Sequence, residues 1–354
     1  MTRRLPRHVF VELTNHCNLS CPLCLQPHHP RGRGHMTAAA FRPLADEIRH
    51  FADGLVLHLL GESLVNPDLF EIVSYAEAVG LNCTFTTNGE LLDEHLEEIF
   101  ASRLSAITVC IDGADAATHS SYRIGSDFER VRAAVVELCR QRRDRGLDRP
   151  HVTVQTLAMA CNAEQHGRLR EWTEEAGVDR FLLRPLHLGL GKAGGDPEEL
   201  ARAFIGAGAR DLAEEEAAIG LCSSRRVCGE LYRATVLWNG DVVPCGRGAW
   251  NAEGSFGNVF TDGGFAAVWR SPAHRAFVRA HLERRDSPCS VKSEMDGPPE
   301  EFDIEGPIRL GRDPRRGGGG LALSSPRAPT RGARAAPGPG AQTPPRSTRS
   351  RGAR

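Results

Sequence analysis

The chain has 354 residues, 25% of them charged, enough for one large α/β domain and a smaller appendage. A formal net charge of -1 conceals an asymmetry: Pro307 to the end holds 11 Arg against one Asp, about +10, so the preceding residues carry about -11. No stretch approaches the roughly 20 apolar residues of a membrane span, and no signal peptide precedes Val9, so a soluble cytoplasmic protein is expected, in which clustered cysteines serve metal ligation or catalysis rather than disulfides.

Short apolar runs alternate with amphipathic ones along the N-terminal two-thirds. Strands are expected at Val9–Leu13, Leu55–Leu60, Asn82–Thr86, Ala106–Ile111, Val152–Leu157 and Arg180–Leu183. Helices are expected at Ala38–Phe51, Pro67–Val79, Asp93–Ala101, Phe128–Arg145 and Glu164–Ala176, with Gly80 and Gly177 closing two of them. Six β-α units predict a parallel sheet with helices outside, an open, partial (β/α)6 TIM-like barrel short of the full eight. Lys192–Gly220 is Ala-, Glu- and Gly-rich and is expected to be partly helical. A hairpin follows, with Tyr232–Trp238 and Asp241–Val243 joined at Asn239-Gly240, and then a helix over Gly263–Glu283. Beyond about Pro298 the Gly, Pro, Ser, Arg and Ala composition lacks the apolar residues to offset ordering entropy, so disorder is expected there. For the basic tail, a solvated extension is the reading favoured over a nucleic-acid contact.

Directly after the first strand comes Cys17-Asn-Leu-Ser-Cys21-Pro-Leu-Cys24. Three thiolates within eight residues can converge on one face of a cuboidal iron–sulfur cluster and leave one iron open, where four cysteines would close it. A zinc site completed by His16, His28 or His29 is the alternative, but zinc spacings come as C-x2-C pairs. This C-x3-C-x2-C spacing resembles that of the radical S-adenosylmethionine superfamily. The resemblance spans about residues 8–289 and implies a 4Fe-4S cluster whose open iron holds S-adenosylmethionine, reductive formation of a 5′-deoxyadenosyl radical, and hydrogen abstraction from substrate. Gly61 and Glu62 match the core of the family's Gly-Gly-Glu-Pro-like element, flanked here by Leu60 and Ser63. Asn88 lies in a matching Thr-Asn-Gly, and Asp112 in Cys110-Ile-Asp-Gly, where relatives have Ser in place of Cys110. Arg123 matches an Arg that can pair with the cofactor carboxylate, and Gln155 on strand five is expected to face the interior. Gly61, Glu62, Asn88, Asp112, Arg123 and Gln155 are thus the cofactor-binding residues the resemblance implies. His58, on the same face as Glu62 by strand alternation, is the candidate substrate contact or proton acceptor.

Cys228, the hairpin, Cys245, Gly257-Asn-Val, Val268-Trp-Arg-Ser and Cys289 resemble a C-terminal SPASM/Twitch module, implying an auxiliary 4Fe-4S cluster. Lys292 stands where that module's last cysteine belongs. Cys222 could supply the fourth thiolate, the cluster could keep an open iron, or the sequence after about Ser290 could be corrupted, the reading favoured because it fits the abrupt change into the tail. The expected organisation is a core over 1–190, a helical connector over 191–221, the auxiliary module over 222–295 and a disordered tail over 296–354. With the cysteine motif starting at residue 17, the leader-peptide-binding domain of peptide-modifying relatives is not expected here. A His three positions before Gly61, together with a single auxiliary cluster, is similar to 2-deoxy-scyllo-inosamine dehydrogenases. That resemblance implies oxidation of a secondary alcohol on a cyclitol or sugar in natural-product biosynthesis. It also implies a small-molecule substrate and a reducing partner such as flavodoxin or ferredoxin. The alternatives are peptide modification, and epimerisation with Cys222 or Cys110 returning a hydrogen.

Overall fold

A computed structural model describes residues 5–185, 204, 234–244 and 254–282. Six strands run parallel in sequence order: β1 (His8–Val11), β2 (Gly54–Val56), β3 (Asn82–Thr87), β4 (Ala106–Cys110), β5 (His151–Ala158) and β6 (Arg180–Pro185). Helices α1 (Ala38–Ile48), α2 (Leu69–Ala78), α3 (Leu96–Ala101), α4 (Ala116–Tyr122), α5 (Phe128–Asp144) and α6 (His166–Glu175) lie between them. This is the α/β plan of a partial TIM-like barrel.

One sheet face is apolar and buried. Val9, Val11, Leu55, Cys83, Phe85, Ile107, Val109, Val152 and Val154 form one core with Phe41 and Ile48 of α1, Ile72 of α2, Val131 and Leu138 of α5, and Leu169 of α6. The alternate residues face the lumen, as the two-residue period of a strand requires. They include the half-buried Phe10, Thr84, Thr86, Thr108 and Gln155. This polar face leads to the C-terminal edge of the sheet, where sites of such folds lie.

The helix starts follow from local chemistry. Thr37 accepts from the Ala40 amide (3.2 Å) and caps α1, while Asp127 accepts from Glu129 and Arg130 and caps α5. Gly80 and Gly177 adopt φ of +93° and +76° just beyond α2 and α6, as helix-terminating glycines do. The sequence reading did not anticipate α4. Its stretch Ala-Ala-Thr-His-Ser-Ser-Tyr has little helical propensity, and the helix rests on Asp115 accepting from the Thr118 amide (2.9 Å). The single helix expected over Gly263–Glu283 is two, α7 (Phe265–Trp269) and α8 (Pro272–Leu282). Pro272 opens the second, and Ser271 accepts from the His274 amide at 3.2 Å.

The expected hairpin is present as β7 (Ala234–Val236) and β8 (Val242–Val243), paired antiparallel around the Asn239-Gly240 turn. β7 also pairs in parallel with β1, with Val9 opposite Ala234 and Val11 opposite Val236. The sheet order is therefore β6-β5-β4-β3-β2-β1-β7-β8. Glu47 of α1 seals a second junction: its carboxylate accepts from the Phe265 and Ala266 amides (2.6 and 2.7 Å), capping α7. Among the described residues no helix is long and apolar enough to cross a membrane.

Candidate active site

The cysteine loop leaves β1 at the C-terminal edge of the sheet and is pinned by amide side chains. Asn15 donates to the Gly32 carbonyl (2.8 Å) and accepts from the Gly34 amide (3.0 Å), and Gln26 donates to the Asn15 carbonyl (2.7 Å). Within the loop the Leu19 amide points at Cys17 Sγ (3.5 Å) and the Gln26 amide at Cys24 Sγ (3.4 Å). Such donors favour thiolate over thiol. Burial works the other way, raising Cys17 to about 11 and raising Cys21 and Cys24 as well; the other thiolates add to the effect at Cys17 and Cys21. The loop thus presents three sulfurs whose deprotonation awaits a positive charge, which bound iron supplies. Among the described residues no three His, Cys, Asp or Glu side chains converge as a single ion requires. A cuboidal cluster asks for something different, one thiolate at each of three irons, so the donor set fits it.

Gly61 adopts φ +91°, and a Cβ there would lie 2.6 Å from the His16 carbonyl oxygen and 2.7 Å from that of Thr14. Only glycine permits this approach, which lays the end of the β2 segment against the root of the cysteine loop. The Glu62 amide donates to the His16 carbonyl (2.7 Å). Its buried carboxylate accepts from the amides of Asn88 (2.7 Å) and Leu64 (3.0 Å), although burial still leaves its pKa raised. The Asn88 side chain donates to Asn18 Oδ1 (2.7 Å) and lies 3.9 Å from Cys17 Sγ. Glu62, Asn88 and the loop therefore form one connected group.

A second group closes the other side. Asp112 is fully buried and binds Arg123 Nε at 2.6 Å, while its other oxygen accepts from the Leu157 amide (2.6 Å). Arg123 Nη1 lies 4.0 Å from Cys21 Sγ, and the guanidinium rests on the Tyr122 ring (5.6 Å). Gln155 faces inward as expected, its amide 3.8 Å from the buried Cys110 Sγ. Leu23, Tyr122, Met159 and Phe204 cluster beside Cys21 and Leu157 and keep that flank apolar.

His58 also faces inward. The Thr86 amide donates to its Nδ1 (3.3 Å), so the neutral ring carries its proton on Nε2. Burial, and after it the Arg184 charge, pull its pKa down to about 4. This makes His58 a hydrogen-bond donor into the lumen, with its accepting nitrogen already engaged.

Two further groups escaped the sequence reading. His119 is fully buried, accepts from the Asp112 amide at Nδ1 (3.2 Å) and meets Ser126 Oγ at Nε2 (2.9 Å); Ser126 in turn donates to Glu90. Glu12 is buried in a bidentate pair with Arg31 (2.7 and 2.8 Å). An acid at an alternating position of an apolar strand was the available signal for Glu12. A histidine seven residues past Asp112 offered a weaker one. Cys222, Cys228, Cys245 and Cys289 lie outside the described residues.

A family model described as the radical SAM superfamily matches residues 11–159, and one described as an iron–sulfur cluster-binding domain, SPASM, matches residues 228–291. The chain therefore carries a radical S-adenosylmethionine domain and a SPASM domain, which imply a 4Fe-4S cluster, S-adenosylmethionine and auxiliary iron–sulfur as cofactors. It is 34% identical to an AdoMet-dependent heme synthase of Methanosarcina barkeri over 49% of this chain and 48% of that protein, so it spans about half the length of that relative. It is 25% identical to a tungsten-containing aldehyde ferredoxin oxidoreductase cofactor-modifying protein of Pyrococcus furiosus, over 82% of this chain and 89% of that one. The structure of Streptococcus suis SuiB bound to precursor peptide SuiA shares the fold, with a TM-score of 0.60 and 15% identity over 82% of this chain and 76% of that chain.

Proposed function

We propose that this protein is a radical oxidoreductase that takes a hydrogen atom from an organic substrate held in the lumen, oxidising a secondary alcohol of a cyclitol or sugar. The observation that carries this reading is the polar inner face, Thr86, Thr108, Gln155 and His58, opening at the same edge as the three cysteines. When bound together, a 4Fe-4S cluster and S-adenosylmethionine supply a 5′-deoxyadenosyl radical as the hydrogen-abstracting agent. Cys17, Cys21 and Cys24 would hold the cluster, and Gly61, Glu62, Asn88, Asp112, Arg123 and Gln155 the S-adenosylmethionine. Glu62 suits an ammonium group and Arg123 a carboxylate, each as a charge-assisted partner. His58 would donate Nε2–H to the substrate oxygen and orient the carbinol carbon. Alcohol oxidation to a ketone releases one hydrogen atom, one proton and one electron. The proton needs a base or a water molecule to take it, the electron an acceptor, for which the auxiliary module is suited, and the initial reduction a donor of flavodoxin or ferredoxin type.

A second reading is epimerisation, favoured by Cys110. Its thiol is buried at the end of β4 and held protonated, with burial raising its pKa to about 11. It could return a hydrogen atom to the substrate. Anaerobic reconstitution, dithionite reduction and product analysis separate the readings. Deuterium from the carbinol carbon should appear in 5′-deoxyadenosine, with one S-adenosylmethionine consumed per ketone. Solvent deuterium in an otherwise unchanged product would instead favour epimerisation, and crosslinked peptide would favour peptide modification. Absence of any reductant-dependent 5′-deoxyadenosine overturns all three.

A further inference from the structure

Among the described residues, one lumen cation has no carboxylate of its own. Strand alternation sets the faces of β6: Phe181 lies under the Arg170 guanidinium of α6 (5.1 Å), on the helix side. Leu182 and Arg184 therefore face the lumen, level with their register partners Gln155 and Leu157. The guanidiniums of Arg123 and Arg31 are each neutralised by a buried carboxylate, Asp112 and Glu12. Arg184 is exposed and has no ion pair among the described residues. His58, just beyond β2, and Arg184 on β6 both face this lumen by strand alternation, with three strands of the sheet between β2 and β6, and the Arg184 charge adds to the burial that lowers the His58 pKa. Leu157 carries an apolar patch from Arg184 toward the cluster beside Cys21.

We infer that the substrate bears an anionic group, a carboxylate or a phosphate, which Arg184 anchors while the neutral His58 Nε2–H serves the uncharged end. This rests on the proposal that the substrate occupies the lumen. A guanidinium presents a planar fork of donors that matches either anion. The same charge repels an ammonium, so an aminated cyclitol is disfavoured, and a sugar acid or sugar phosphate is the class that fits.

The test uses reconstituted protein with S-adenosylmethionine and four probes of similar size: glucuronate, glucose 6-phosphate, glucose and glucosamine. Phenylglyoxal modification of Arg184 is followed by peptide mass spectrometry. Glucuronate or glucose 6-phosphate should slow it several-fold, and which of them protects identifies the anion. Glucose and glucosamine should leave it unchanged. Calorimetry should show Arg184→Gln weakening the protecting probe at least about tenfold, with Arg184→Lys recovering part of the loss. The inference is overturned if neither anion protects, or if glucosamine binds as well as glucuronate. Should Arg184→Gln fail to fold, protection in the unsubstituted protein still decides. Reductant-dependent 5′-deoxyadenosine is measured in the same preparation: formed without anion protection, it sinks this inference alone, and its absence sinks the radical reading.

Discussion

Gly61 and Glu62 act at one residue each, and each admits a sharp test. Gly61→Ala would place a methyl about 2.6 Å from the His16 carbonyl oxygen and would force a φ of +91° on an L-residue. Strain of that kind costs on the order of 1–3 kcal/mol before the collision is counted. We expect reduced iron incorporation on reconstitution and a lower Tm; a variant with native iron content and Tm would refute the close approach. Glu62→Gln keeps the shape and removes the charge. It should weaken S-adenosylmethionine binding roughly 10- to 100-fold, the worth of a hydrogen bond to a charged group, while the three cysteines still hold their cluster. Equilibrium dialysis reads the first effect and the electron paramagnetic resonance of the reduced cluster the second. Glu62, Asn88 and Asp112 were legible as candidates because each stands in a short motif at a strand end, and Arg123 because it follows Tyr122 in a short motif that closes α4. His119 was not, because its contribution is a ring wedged between the Asp112 amide and Ser126, visible only when α4 has folded.

Among the elements, β7 and the Gln26–His35 segment meet at Glu12. The Glu12 amide donates to the Val236 carbonyl (2.9 Å), and its carboxylate takes Arg31 bidentately while lying 3.5 Å from the Trp238 amide. Burial raises the Glu12 pKa, and Arg31 opposes that effect. Removing one partner leaves the other charged and buried. Arg31→Met is therefore expected to cost about 3–5 kcal/mol, whereas the Glu12→Met, Arg31→Met double replacement should recover most of the loss. Urea denaturation of the set measures this; an Arg31→Met loss below about 1 kcal/mol would mean water reaches the pair. The β-α alternation was plain in sequence because apolar periodicity reports burial directly. That β7 adds to β1 was not, since pairing between strands more than 200 residues apart has no local signature.

The molecule as a whole should carry a pH signature from two histidines. Burial lowers both His58 and His119 to about 4, against an ordinary value of 6.5. Between those values the unfolded chain binds more protons at these rings than the native one, so their effect is to lower stability as pH falls through that window. Above 6.5 both states are neutral there and the effect is flat. Glu12, Glu62 and Glu77, raised by burial, act in the opposite sense, because the native chain then holds the extra proton as pH falls. A raw stability profile mixes the two. A difference profile separates them, because Glu12, Glu62 and Glu77 are common to both proteins. His119→Gln removes one titrating ring and keeps a side-chain amide near Ser126. The advantage of the unsubstituted protein over His119→Gln should grow from about pH 4 to about 6.5, by at most about 1.4 kcal/mol per pH unit, and then level off. Guanidinium melts at closely spaced pH values give that difference directly. A gap that stays constant across the window would show that His119 takes up its proton in the folded protein, and that the Asp112–Arg123 corner tolerates a cationic ring beside it.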